Sequence, residues 1–315
     1  MSRAEGAGAP AKGDGEGLFD PQFLAQLRLL FFKLRKRQRL QRTGPQATSA
    51  AGTSREFKDH RPYFPGNDYR AIDWRLFARL ERLFVRVFEE VQEFHVHVLL
   101  DTSRSMAEPH REKRVVALRL ASALTYLSLL NQHRVSILSL SDEVSRLLPP
   151  LKGPGHIHGV LERLGALEFA LPTDLEGCLA RFRPGSDRRG VVFLISDLFG
   201  TAPEAAETAL QRARSWPAET HVIHVVHPRE ANPALAAREL VGEVLLEEVE
   251  TREQRRFWLT RADLERCAAA FDRFQEGIER LCARQEMNYL AWATDQPFEA
   301  RFLALLERGT ALAGK

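Results

Sequence analysis

Cysteine is scarce in this chain. Among 315 residues there are three, Cys178, Cys267 and Cys282. They share no metal-ligand spacing, and an odd number without a framework points to reduced thiols inside a cell, not to a disulfide-stapled secreted fold. Long apolar runs are missing as well. No stretch approaches the roughly eighteen residues that a membrane-spanning helix needs. The opening MSRAEGAGAPAKGDGEG lacks the apolar segment of a secretory leader. A dominant charge is also missing: 45 Lys and Arg against 42 Asp and Glu leave +3, too little to make the whole chain a magnet for nucleic acid. Neither the phosphate loop Gly-x-x-x-x-Gly-Lys-Ser/Thr nor the nucleophile elbow Gly-x-Ser-x-Gly occurs. The expectation is a cytoplasmic protein without those two chemistries.

What is present is a chain that is 44% hydrophobic, enough for a sizeable core. Residues 1–18 form a Gly/Ala-rich tail that reads as disordered. Residues 19–92 make an N-terminal segment with a basic helix, a charged and aromatic block and a strand. Residues 93–310 read as an α/β domain with an insertion near 233–286. In the first of these, Asp20 can cap a helix that begins at Pro21, and Leu24, Leu27, Leu30 and Phe31 form a stripe at helical spacing. The stripe runs into Lys33, Arg35, Lys36, Arg37, Arg39 and Arg42. For this basic stretch, 28–42, a solvated helix end competes with contact to an acidic partner or an anionic membrane surface. Nucleic-acid binding ranks last, because no interleaved aromatics follow.

From Phe94 onward, strands and helices alternate. Apolar strands are expected at 94–100, 134–140, 190–196, 221–226 and 289–294, and another at 143–149 paired closely with the second. Helices are expected at 114–130, 156–166, 174–182, 203–214, 261–286 and from Pro297 to Arg308. Strands that are apolar on both faces belong to a parallel sheet covered on both sides. The fold class is therefore α/β: a doubly wound, mostly parallel sheet flanked by helices, with an N-terminal helical and β-hairpin extension.

In such folds chemistry sits at the carboxyl ends of the strands, where strand order reverses. Two strands end in acid. The first ends at Asp101 and continues Thr-Ser-Arg-Ser, giving Asp101-x-Ser103-x-Ser105; the other ends in Ser196-Asp197. In the order 3-2-1-4-5 they are neighbours. Thr173 and Asp174 open a helix and bring a third oxygen source. Carboxylates and hydroxyls suit a hard divalent cation, Mg²⁺ or Mn²⁺, which takes six oxygens and keeps several waters. The predicted ligands are Asp101, Ser103, Ser105, Thr173 and Asp197. So few carboxylates leave a coordination position facing solvent, open to an acid from a partner. The plainer alternative is an Asp/Ser turn whose serines cap the helix at 111–130.

The motif from Asp101 to Met106, with Thr173 and Asp197, resembles the metal-ion-dependent adhesion site of von Willebrand factor type A domains. A second block narrows the resemblance. YFPGNDYRAIDWRLFAR, Tyr63–Arg79, resembles the signature of the domain of unknown function 58 family, as do LISDL at 194–198 and HPRE at 227–230. Asn67 departs from the acid usual beside Asp68, and Glu248 from the more usual Asp. Read on its own, the block turns at Pro65-Gly66, starts a short helix at Asn67 or Asp68, and ends near Leu80. Tyr69, Ile72 and Phe77 can pack inward, Asp68, Arg70, Asp73, Arg75 and Arg79 can pair, and Trp74 is expected to be buried in a clamp against the sheet. A partner surface is the competing role.

His95 and His97 share a strand face, and His156 and His158 share a loop; without a third ligand nearby they carry little metal signal. Cys267 and Cys282 are expected to face the core. What the resemblance implies is a non-catalytic module, an adaptor or chaperone-like partner of a MoxR-type AAA+ ATPase acting in assembly or activation of other proteins. Arg104 and Arg70 would favour an acidic surface on that partner. The competing class is a metal-dependent hydrolase on the same oxygens, for which Asp174 is the one candidate base.

Overall fold

The computed structural model describes residues 23, 25–27, 29, 55–90, 94–172, 174–185, 190–200 and 205–308. The chain forms two compact units, residues 42–93 and residues 94–315 together with 1–41. The basic run at 33–42 and the tail at 1–18 lie outside the described residues.

In the smaller unit, β1 (Arg55–Pro62) pairs antiparallel with β2 (Phe84–Glu90). Sequence reading missed β1. Between the strands the single expected helix is split into a 3₁₀ turn, Tyr69–Ala71, and a helix, Trp74–Leu80. The split follows from two caps. Asp68 accepts the Arg70 N–H at 2.9 Å, while Asp73 Oδ1 accepts those of Arg75 and Leu76 at 3.0 and 3.1 Å. Between them Ile72 is extended and bridges to Val85. The other Asp73 oxygen faces His60 Nε2 at 3.0 Å and Arg86 Nε at 3.9 Å. The acids of this block are thus helix caps and a strand-to-helix tie. The inward packing is corrected: Ile72 is 4% exposed, but Tyr69 is 64%, Trp74 62% and Phe77 38% exposed. Trp74 meets Phe77 edge to face at 6.2 Å and is not a buried clamp.

The larger unit is built on one six-stranded sheet. Its strands are β3 (His95–Asp101), β4 (Arg134–Leu140), β5 (Val144–Lys152), β6 (Gly190–Ser196), β7 (Ala218–Val226) and β10 (Asn288–Ala293). The order is β10-β7-β6-β3-β4-β5, with only β5 antiparallel. Counted within this sheet, that is 3-2-1-4-5-6, so the expected order of the first five strands holds. β3 and β6 occupy the middle and are buried on both faces, which is why they read as continuous apolar runs. β5 lies on an edge, is exposed or half-buried along its length and carries Pro149 and Pro150, as an edge strand can.

Side-chain alternation divides the core into two layers. Val96, Val98, Leu100, Val191, Phe193 and Ile195 face the helices Arg111–Leu130, Ile157–Gly165 and Phe298–Arg308. Leu99, Val192 and Leu194 face Leu175–Arg181, Ala205–Ala213 and the later turns of Arg261–Arg284. Phe23 and Leu27 also join the first layer, so the N-terminal boundary differs from the 19–92 segment read from sequence. Within the insertion a second unexpected hairpin forms, β8 (Gly242–Glu247) with β9 (Gln254–Leu259). Cys282 is buried as expected, but Cys267 is exposed. Among the described residues no helix is long and apolar enough to cross a membrane.

Candidate functional site

Strand register brings the acidic strand ends together. Leu100 pairs with Ile195 in the parallel ladder, so the next residues, Asp101 and Ser196, face each other on the same side of the sheet. Ser196 Oγ donates to Asp101 Oδ2 at 2.5 Å and accepts the Leu198 N–H at 2.9 Å. Asp101 Oδ1 accepts the Ser103 N–H at 2.9 Å. The chain then turns so that the Ser103 and Ser105 hydroxyls meet at 3.1 Å. Beyond β6, Leu198 takes a left-handed φ of 57°, which folds the chain back and lets the Phe199 N–H reach Asp197 Oδ1 at 3.1 Å. Asp101, Ser103 and Asp197 are fully buried and Ser105 nearly so.

Four of the five predicted oxygens are therefore brought together at the ends of two adjacent central strands. The fifth, Thr173, lies outside the described residues. Its neighbour Leu171 bridges to Ser103, and Asp174 N–H donates to the Ser141 carbonyl at 2.7 Å. The serines do not cap the following helix. His110 holds that position, and neither it nor Ser103 makes a side-chain capping bond. The plainer Asp/Ser reading thus loses its structural role for the hydroxyls.

Charge in this crevice is concentrated and buried. Burial first, and the Asp197 charge second, push the Asp101 carboxyl up to about 7, against the bonds from Ser103 and Ser196. Lys113, wholly buried on the first turn of the helix, donates to Asp197 Oδ2 at 2.9 Å and Glu230 Oε1 at 2.6 Å. Burial alone would lower its pKa, but the two carboxylates outweigh that and raise it, so it stays an ammonium. Burial raises the Glu230 carboxyl even against Lys113. Two acids share the one lysine charge.

A further acid comes from the β8–β9 hairpin. Glu250, in the turn joining its strands, accepts the Ser105 N–H on Oε1 at 3.0 Å. Its Oε2 is buried and has no hydrogen-bond partner. Arg104 secures the same turn by donating to the carbonyls of Val249 and Glu250 at 3.2 and 3.0 Å, and also to Ala170 at 2.7 Å. Its guanidinium is thus fixed within the chain by three backbone carbonyls. Arg252 reaches across to Glu108 at 2.7 Å.

Sequence reasoning missed Lys113, Ser196, Glu230 and Glu250. Lys113 sits in REKRVV, where three neighbouring charges hide one buried ammonium. Glu250 sits in LEEVET among acids that are more exposed. No residue-type signal separates it from them; only the tertiary fold does.

The donors are oxygens of carboxylates and hydroxyls, with one buried carboxylate oxygen unsatisfied. That chemistry fits a hard divalent cation. Among the described residues, Asp101, Asp197 and Glu250 do not all lie within 4.8 Å of one another, so the Ser103 and Ser105 hydroxyls would be needed as ligands beside the carboxylates. His110, Glu112 and His227 do offer ligand atoms within 4.8 Å. However, the two imidazoles stack at 3.6 Å and 9°, so their lone pairs run parallel and do not converge. His95 and His97 likewise stack, at 4.0 Å, and His156 and His158 are exposed. Asp174 caps the helix Leu175–Arg181 through the Gly177 N–H at 2.9 Å and pairs with Arg181 at 3.6 Å.

The family model described as "Protein of unknown function DUF58" matches residues 59–273. The uncharacterized protein Rv1480 of Mycobacterium tuberculosis is 29% identical over 309 residues, covering 94% of this chain and 93% of that protein. Among solved structures, the conserved hypothetical protein BatB from Bacteroides thetaiotaomicron has 16% identity and a TM-score of 0.38, covering 69% of this chain and 100% of that one. A von Willebrand factor type A structure from Catenulispora acidiphila has 15% identity and a TM-score of 0.36, over 45% of this chain and 35% of that one.

Proposed function

We propose, from the premise that this chain belongs to the DUF58 family of proteins of unknown function, that it is a non-catalytic, metal-dependent protein-interaction module. The observation that carries the reading is the meeting of buried Asp101 and Asp197 with the Ser103 and Ser105 hydroxyls at two neighbouring strand ends. Those residues, with Thr173, would hold Mg²⁺ or Mn²⁺. A bound ion supplies a positive charge with a coordination position that an outside carboxylate can take. Asp101, Ser103 and Ser196 hold the cradle in shape, and Lys113 offsets part of the acid charge.

The partner of this module is a protein that presents an acidic side chain. The family resemblance makes it a MoxR-type AAA+ ATPase, with the pair acting in the cytoplasm on the assembly or activation of other proteins. Exposed Phe64, Tyr69, Trp74 and Leu80 on the smaller unit add apolar surface of the kind that partners cover. Nucleic acid has no place in this reading, and an anionic membrane remains a role only for the basic stretch 28–42. The competing hydrolase reading named Asp174 as its base, and that carboxylate is engaged as a helix cap and with Arg181.

The test is binding to a MoxR-type ATPase with Mg²⁺, with a chelator, and with Ser103→Ala plus Ser105→Ala. The expected outcome is binding that needs both the ion and the hydroxyls. Binding indifferent to chelator, or turnover of generic phosphate esters by the purified chain, would overturn it.

A further inference from the structure

The β8–β9 hairpin has an unusual hold on the rest of its unit. None of its residues between Gly242 and Leu259 belongs to the buried core, and Leu245, Leu246, Phe257 and Trp258 are exposed. Apolar burial therefore contributes little to docking it. Its turn is fastened by polar contacts instead: Arg104 to two turn carbonyls, Arg252 to Glu108, and Ser105 N–H to Glu250. Three of these four contacts fall on the loop of Ser103 and Ser105 or on the turn residue nearest to it. Among the described residues, the polar ties of the hairpin turn gather at the candidate cation site.

Glu250 makes the tie informative. One carboxylate oxygen is satisfied by the backbone of Ser105, while the other is buried and has no partner. A buried carboxylate oxygen without a partner costs free energy unless a donor or a cation meets it. The arginines at this turn are bonded elsewhere: Arg104 to carbonyls, and Arg252 to Glu108 and Glu247. The bond from the Ser105 N–H puts this carboxylate on the loop whose hydroxyls would hold the ion.

We propose that Glu250 is an internal ligand of this site: its free carboxylate oxygen takes in cis the coordination position that a partner's acid would otherwise fill. This rests on the cation reading given above. The hairpin then acts as a tethered competitor. A partner binds by displacing Glu250, and the weak apolar docking of the hairpin keeps the cost of displacement small. The occupant that competes best is an acidic side chain presented with its own apolar surroundings, able to engage the uncovered hairpin side chains as well.

Mn²⁺ tests this without any partner, because its affinity and the number of waters on it can both be read by titration and water-proton relaxation. The full chain is compared with Glu250→Gln, which keeps an oxygen acceptor for Ser105 N–H, and with Glu250→Asp, which draws the carboxylate back by one methylene. Losing one charged ligand should weaken Mn²⁺ by about tenfold in Glu250→Gln. The bound ion should also gain a water, seen as higher relaxivity, and added acetate should lower that relaxivity again in the variant but not in the parent. Glu250→Asp should fall between the two. Equal affinity and equal relaxivity in parent and Glu250→Gln would overturn the internal ligand while leaving the cation site standing. No Mn²⁺ binding by the parent would overturn both.

Discussion

His97 sits on the β3 face that leads to Asp101, stacked on His95 at 4.0 Å and met edge-on by Phe182 at 5.4 Å. Its Nδ1 is buried without a partner. Burial, aided by the neighbouring His95, pushes its pKa down to about 3. The folded chain therefore keeps this imidazole neutral where the unfolded chain takes up a proton, from about pH 6.5 downward. More protons on the unfolded state mean that stability falls as pH falls through that window, and is fully present above it. The metal-free protein should lose melting temperature between pH 6.5 and pH 4, and His97→Gln should lose less over the same range. Parallel curves for the two would show that His97 does not titrate on unfolding. At this scale the sequence was most legible where chemistry and strand ends coincide, as at Asp101, Ser103, Ser105 and Asp197. It was least legible for Lys113 and Glu250, whose importance comes from where remote elements place them.

Two tryptophans separate the elements by what they bury. Trp292 on β10 is fully buried against Phe298, at 5.4 Å between rings, whereas Trp74 on the helix Trp74–Leu80 is 62% exposed. Trp292→Ala should cost about 3–5 kcal/mol, a large fraction of a domain's stability. Trp74→Ala should stay within about 0.5 kcal/mol, as surface changes do. Chemical denaturation of both variants checks this, and a large loss for Trp74→Ala would return it to a packed role. The elements of the sheet were readable because a buried parallel strand and an amphipathic helix leave different apolar periods. The hairpin β8–β9 and strand β1 were not, because the charges in REFKDHRP and QRRFWL break up any apolar alternation in the sequence. The block GNDYRAIDWR was read as one helix because both of its aspartates are good caps, and the sequence does not say that each starts its own element.

For the whole molecule, the strand order decides the outcome. The order 3-2-1-4-5-6 puts the acid-ended strands β3 and β6 side by side, and the connections above them deliver Ser103, Ser105, Lys113, Glu230 and Glu250 to one crevice. That convergence, and not any single residue, is the reason to expect a cation and an acidic partner. It also sets what the smaller unit does not have to do, since every described ligand candidate belongs to the larger one. The central claim is that this crevice holds a hard divalent ion through its hydroxyls. Calorimetric titration of the full chain with Mn²⁺ and Mg²⁺, against Ser103→Ala plus Ser105→Ala, tests it most directly. The account predicts one saturable site per chain in the parent and its loss in the double variant, with the fold retained by circular dichroism. An unchanged titration in the double variant, or no heat in the parent, would contradict it.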